Sequence, residues 1–91
     1  MEYFGIEAGT REEAAGILRA RIGGNLAALR SMRDLSIAQA AEQVGGITPD
    51  TLRNYELGKT GITYENAWLL ADFYRVPIGA LAGRIAYEKL A

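Results

Sequence analysis

The sequence predicts an all-α fold, a compact bundle of five to six short helices. Apolar residues recur every three or four positions through most of the chain, as they do on one face of a helix. Ser, Thr or Pro stands at the start of most such stretches, where these residues cap or begin helices. Glycines separate the stretches, and the sequence contains no convincing strand pattern.

The first helix is predicted to begin after Thr10, because Thr10 and Glu13 have the spacing of a capping box. Residues 1–9 before it form a short non-helical arm, which is expected either to cover the domain's own core or to pack on a partner subunit. The pair Gly23-Gly24 is expected to interrupt the helix or to mark a close packing point, since two interior glycines lower helix stability by about 2 kcal/mol. The helical period resumes at Asn25.

Two short helices follow in the middle of the chain. Ser36 is expected to cap a helix over residues 37–44, which Gly45-Gly46 ends. Thr48 as a cap and Pro49 at the first helical position predict the next helix. Because so few residues separate the two, they predict a helix-turn-helix, whose second helix can enter the major groove of DNA.

Two further helices complete the predicted bundle. The third helix ends near Leu57, Thr63 caps a fourth, and Pro77 opens a fifth, whose apolar residues are Ile78, Leu81, Ile85 and Leu90. The expected parts of this single domain are an N-terminal arm with an extra helix (residues 1–20), the helix-turn-helix domain (residues 21–82) and a C-terminal helix extension (residues 83–91).

The composition argues against several classes of protein. The chain has 91 residues, no histidine and no cysteine, so it lacks thiolate chemistry, the usual metal ligands and the commonest general base. We therefore expect no enzyme, no metal and no cofactor. Paired carboxylates could still act in catalysis, but Glu12 and Glu13 are explained by the first turn of a helix. No apolar run is long enough to span a membrane, and the expected location is the cytoplasm.

The charge is small and unevenly distributed. The formal net charge is −1, with an acidic segment over residues 1–18 and a mildly basic one over residues 19–61. A strongly basic nucleic-acid binder would differ from this. The weak positive field predicts a modest, salt-sensitive affinity for phosphate.

An ordered series of residues runs through roughly residues 21–82. Its members are Ile22-Gly23, Leu29-Arg30, Leu35-Ser36, Ala40-Ala41, Val44-Gly45, Ile47-Thr48, Leu52, Tyr55-Glu56-Leu57-Gly58-Lys59, Leu69-Leu70-Ala71, Val76-Pro77 and Leu81. This set resembles the Cro/repressor (Xre-type) helix-turn-helix family. The resemblance implies a lambda-repressor-like DNA-binding domain and a sequence-specific, repressor-like transcriptional regulator.

The resemblance also implies partners and residue roles. The partner would be double-stranded DNA, bound by a homodimer that matches two half-sites. Arg30 and Glu56 would form a partly buried ion pair, and Leu52 would point inward. The implied DNA-binding residues are Ser36, Thr48, Pro49, Asp50, Thr51, Arg53, Asn54 and Lys59.

Two of these side chains suit base edges by their chemistry. Asn54 can pair with adenine, and Asp50 can accept a hydrogen bond from cytosine N4. Arg53, one step off their shared face, and Lys59 are expected near phosphates. Simpler interpretations remain open: Asp50 stabilises the helix dipole, Asn54 is an ordinary surface residue, and the two basic residues lie on a solvated face.

A second hypothesis is a protein-interaction module, similar to an antitoxin or anti-regulator, with weak or no DNA binding. The acidic N-terminal segment favours it, as does Ile37, which stands where relatives most often carry a glutamine. The turn at Gly45-Gly46 is also one residue longer than the usual pattern.

Overall fold

The computed structural model describes residues 1–83, and within them the chain forms four α-helices, one small hairpin and a short 3-10 helix. The strands are β1 (Glu2–Tyr3) and β2 (Ile6–Glu7); the helices are α1 (Arg11–Met32), α2 (Ile37–Val44), α3 (Pro49–Glu56) and α4 (Tyr64–Tyr74), followed by the 3-10 helix Ile78–Ala82. The predicted helical fold is confirmed. The predicted five to six helices and the absence of strands are wrong for this part of the chain.

The N-terminal arm is an antiparallel hairpin in which Tyr3 lies opposite Ile6. Phe4 and Gly5 connect the strands with φ angles of 56° and 76°, the left-handed pair that a tight hairpin turn requires. Ile6 is buried, and both strands contact α1. The arm therefore packs on its own chain. Two-residue strands are too short to show an alternating pattern, which is why the sequence did not reveal them.

Helix α1 continues through Gly23-Gly24 without a break, so the expected interruption is wrong. The alternative of a close packing point holds for Gly23. A Cβ atom there would lie 2.5 Å from the carbonyl oxygens of Tyr55 and of Glu56, at the end of α3. Gly24 faces open space. The absence of a side chain at position 23 lets the backbones of α1 and α3 approach each other.

The helix caps predicted from the sequence are confirmed. In each of them the cap hydroxyl accepts a hydrogen bond of 3.1 Å from the backbone N–H three residues later: Thr10 from Glu13, Ser36 from Gln39, Thr48 from Thr51, and Thr63 from Asn66. These bonds satisfy N–H groups that the first helical turn leaves without partners. Local sequence therefore sets where each of these helices begins.

The core lies between the long helix and the three that follow. Its fully buried centre is Leu26 of α1, Leu52 of α3 and Leu70 of α4. Leu52 thus points inward, as the resemblance implied. This burial fixes which face of α3 remains in solvent.

A polar cluster joins α1 to the end of α3. The Arg30 guanidinium donates to both carboxylate oxygens of Glu56 at 2.8 Å and to the Leu35 carbonyl at 2.9 Å. The Glu56 side chain is only 6% exposed, so the expected partly buried ion pair is confirmed. The hydrogen bond to Glu56 raises the pKa of Arg30. Burial raises the pKa of the neighbouring Tyr74 phenol to about 12, and its hydroxyl has no hydrogen-bond partner within residues 1–83.

The end of the described chain is tied back to α1. The buried Asn25 amide donates to the carbonyls of Leu81 and Gly83 at 2.7 and 2.8 Å. Pro77 precedes the 3-10 helix rather than opening an α-helix. Ile85, Leu90 and all of the predicted extension beyond Gly83 lie outside the described residues.

We expect Gly23→Ala and Gly24→Ala to change stability in opposite directions. Alanine at 24 should raise the free energy of unfolding by up to about 1 kcal/mol through helix propensity. Alanine at 23 should lower it by roughly 1–3 kcal/mol, because its methyl group meets backbone carbonyls. Urea unfolding followed by circular dichroism measures both, and equal stability of the two variants would contradict the close approach.

We expect Glu56→Gln to destabilise the protein by about 3 kcal/mol, because it leaves the partly buried Arg30 charge unpaired. The double variant Arg30→Met/Glu56→Met should recover most of this loss, since it removes both charges. Urea unfolding of the single and double variants tests the pair. A single variant as stable as the wild type would show that the pair is unimportant.

Tyr74→Phe should flatten the alkaline loss of stability. The raised pKa of Tyr74 means that the folded state holds the phenol proton more tightly than the unfolded state does, whose pKa is near 10. The contribution of the protonated phenol to the free energy of unfolding is fully present below pH 10 and is lost as the pH rises towards about 12. The free energies of unfolding of the two proteins, measured across this pH range, should diverge as the pH rises, because only the wild type has a buried phenol to ionise. Parallel curves would contradict this role.

Candidate nucleic-acid interface

Helices α2 and α3 are joined by a four-residue turn over residues 45–48. Gly45 and Gly46 have φ angles of 74° and 81°, which side-chain-bearing residues rarely adopt. Ile47 is buried in the core and anchors the turn. The two glycines thus provide the change of direction that the lengthened turn requires. The buried Ile47 fixes the position at which α3 begins.

Helix α3 has a buried and an exposed side. Leu52 and Tyr55 face the core. Pro49, Asp50 and Arg53 are exposed, and Asn54 is half-buried. At about 100° per residue these four positions fall on one side of the helix, with 50 and 53 nearest its centre. The structure therefore brings them together on an outward face.

An ion pair occupies the middle of this outward face. Arg53 Nη1 donates to Asp50 Oδ1 at 2.6 Å, and the side chains are 51% and 88% exposed. Sequence reasoning treated the two residues separately and placed Arg53 one step off the face. The spacing of three residues between opposite charges on a helix was the signal that could have revealed the pair.

Asn54 and Lys59 lie at the C-terminal end of the interface. The Asn54 side chain makes no hydrogen bond within the described part of the chain, so its amide can receive an external partner. The Asn54 carbonyl accepts from the Lys59 N–H at 3.0 Å. Between them Gly58, with a φ of 71°, packs against the backbone of Ala20, and the exposed Lys59 follows it.

The remaining candidate residues lie at helix N-termini. Thr48 caps α3, and its hydroxyl donates to that of Thr51 at 2.9 Å. Ser36 caps α2, a different helix, and is exposed. Both starts carry the partial positive charge that favours an anionic group.

A separate apolar surface lies on α4, and sequence reasoning did not single it out. Trp68 is 51% exposed and packs edge-on against Tyr64, with ring centroids 6.3 Å apart. Trp68 also lines an open groove between α4 and the 3-10 helix. The other lining residues are Ala71, Asp72, Arg75, Val76, Pro77, Ile78 and Gly79.

Residues 1–83 contain no group of three or more acidic side chains placed to hold a metal ion. Within the same range, no helix is both long and apolar enough to cross a lipid bilayer.

Comparison with known proteins agrees with the geometry of α2, the turn and α3. The model of the helix-turn-helix family matches residues 26–81, from α1 to the 3-10 helix. No curated protein and no solved structure matches the chain. The matched segment is more than half of the chain and contains the whole of the candidate interface. The chain therefore belongs to the helix-turn-helix family of the Xre or lambda-repressor type, a family of DNA-binding regulatory domains.

Proposed function

We propose that this protein is a sequence-specific, repressor-like transcriptional regulator that inserts α3 into the DNA major groove. The observation that carries the proposal is the division of α3 into two sides. Its inner side is held by Leu52, Tyr55 and the Glu56–Arg30 ion pair. Its outer side presents polar side chains to solvent. A helix so held can approach DNA as a rigid element.

The backbone contacts follow from the surroundings of α3. Thr48 and Ser36 stand at exposed helix N-termini, where backbone N–H groups favour phosphate. Thr51 lies beside Thr48, and Lys59 carries the positive charge just beyond α3. Asn54, whose side-chain amide makes no hydrogen bond within residues 1–83, reads an adenine edge. Pro49 completes the outward face beside the bases.

We further propose that the protein works in the cytoplasm as a homodimer on a near-palindromic site. Two copies would place two α3 helices in successive major grooves, about 34 Å apart along the DNA. Association also suits a chain of 91 residues, because a domain of this size buries only about two-thirds of its unfolded surface. Sedimentation with and without operator DNA measures this stoichiometry.

A second candidate function is the protein-interaction module. It is favoured by the exposed Tyr64–Trp68 pair and its neighbouring groove, since contiguous exposed apolar surface marks interaction sites. The low net charge points the same way. Folded protein that binds another protein tightly but is not retained by DNA at low salt would favour this function over the first.

The proposal is tested by capturing sheared genomic DNA on the purified protein at about 50 mM and about 200 mM salt, followed by sequencing. A sequence-specific regulator should enrich a shared short motif. Enrichment of nothing at either salt, from protein shown to be folded, would overturn the proposal.

Asn54→Ala and Lys59→Ala should affect DNA binding in different ways. Loss of the amide should relax the preference at one base pair, with a cost of about 1–3 kcal/mol on the preferred sequence. Loss of the lysine charge should weaken binding to all sequences alike and reduce the salt slope by about 1. Fluorescence anisotropy titrations over a range of salt concentrations measure both effects.

A matched control is Arg11→Ala. This exposed residue begins α1, about 18 Å along the helix from the contact with α3 at Gly23. It should leave both the preference and the salt slope unchanged. If Asn54→Ala and Lys59→Ala behave like this control, α3 is not the recognition helix.

A further inference from the structure

We propose that Arg53 reads a guanine edge in the DNA site and that Asp50 is the residue that positions it. This inference rests on the DNA-binding function proposed above. It assigns to Arg53 a base contact in place of the phosphate contact expected from the sequence, and it removes the cytosine contact from Asp50.

The first support is position. Asp50 and Arg53 lie nearest the centre of the outward face of α3, between Pro49 and Asn54. A helix lying in the major groove directs the centre of its outward face at the base edges, whereas phosphates run along both sides. A long arginine side chain at this position reaches the floor of the groove.

The second support is the geometry of the ion pair. Only Nη1 of the Arg53 guanidinium binds Asp50, at 2.6 Å. The guanidinium has five N–H donors in a rigid fork. Within residues 1–83, the edge formed by Nε and Nη2 makes no hydrogen bond. Two parallel donors on one edge are what the O6 and N7 acceptors of guanine require.

The third support is the state of the Asp50 carboxylate. One of its oxygens already accepts from Arg53, and the positive charge beside it offsets repulsion from the DNA phosphates. The pair also restricts the rotamers of Arg53 before DNA arrives, so less conformational freedom is lost on binding. Asp50 therefore acts on the base through Arg53.

The test is selection of binding sites from a random duplex library at about 50 mM salt, where variants with weakened contacts still bind measurably. The proteins compared are the wild type, Arg53→Ala, Asp50→Ala, the double variant and the Arg11→Ala control. Circular dichroism establishes that each is folded, which the exposure of positions 50 and 53 favours.

The wild type should select a G·C pair at one position of each half-site. Arg53→Ala should reduce that preference by a factor between about 5 and about 150, the range for one bidentate base contact. Asp50→Ala should reduce the same preference by a smaller factor while strengthening binding to unrelated DNA, because it removes a negative charge. In the Arg53→Ala background, Asp50→Ala should have no further effect on the preference, as coupling through Arg53 requires.

Three outcomes would overturn the inference. If Arg53→Ala keeps the G·C preference and only lowers the salt slope, Arg53 binds phosphate. If Asp50→Ala abolishes the preference in the presence or absence of Arg53, Asp50 reads the cytosine itself. Both outcomes leave the DNA-binding function standing. If the wild type selects no motif, that function fails, and the assignment of Arg53 fails with it.

Discussion

The close contact between α1 and the C-terminal end of α3 is the constraint on which the rest of the structure depends. Gly23 allows the backbones of α1 and α3 to approach closely, and the Arg30–Glu56 ion pair joins the same two helices through their side chains. An ion pair this buried is stable only with good geometry and full hydrogen bonding, which the two 2.8 Å bonds and the Leu35 carbonyl provide. The contact fixes α3 at one end, while Leu52 fixes its middle.

A helix held in this way has a defined outward face, and the candidate function lies on that face. Only eight residues form α3, too few to be stable as an isolated helix in water. The stability of α3 comes instead from the cap at Thr48, the buried Leu52 and the contact with α1. The same packing leaves Asp50, Arg53 and Asn54 facing solvent. The contacts that stabilise α3 and the residues proposed to recognise DNA therefore lie on two different sides of one short helix.

Most of the fold could be predicted because its signals are local. The capped starts of α2, α3 and α4 depend on a hydrogen bond between a hydroxyl and an N–H only three residues apart. Such a local hydrogen bond can be predicted from the residue types and their spacing. The interruption expected at Gly23-Gly24 was wrong, although the alternative of a close packing point holds for Gly23, and the N-terminal hairpin was not predicted. Helix propensity disfavours two glycines, but packing against α3 outweighs that cost. The paired strands are too short for a periodic pattern.

By itself the sequence determined the helical class and the helix starts, since these depend on neighbours within one turn. It also supplied the polar side chains at positions 50, 53 and 54. Only the tertiary structure decided that α1 is continuous, that Gly23 rather than Gly24 is the packing point, and that the Asp50–Arg53 pair lies at the centre of the exposed face of α3. The first two depend on residues far apart in the chain, and the last on which side of α3 the core buries. Helix propensity and residue spacing are properties of single segments, whereas the burial of a residue depends on how distant segments pack together.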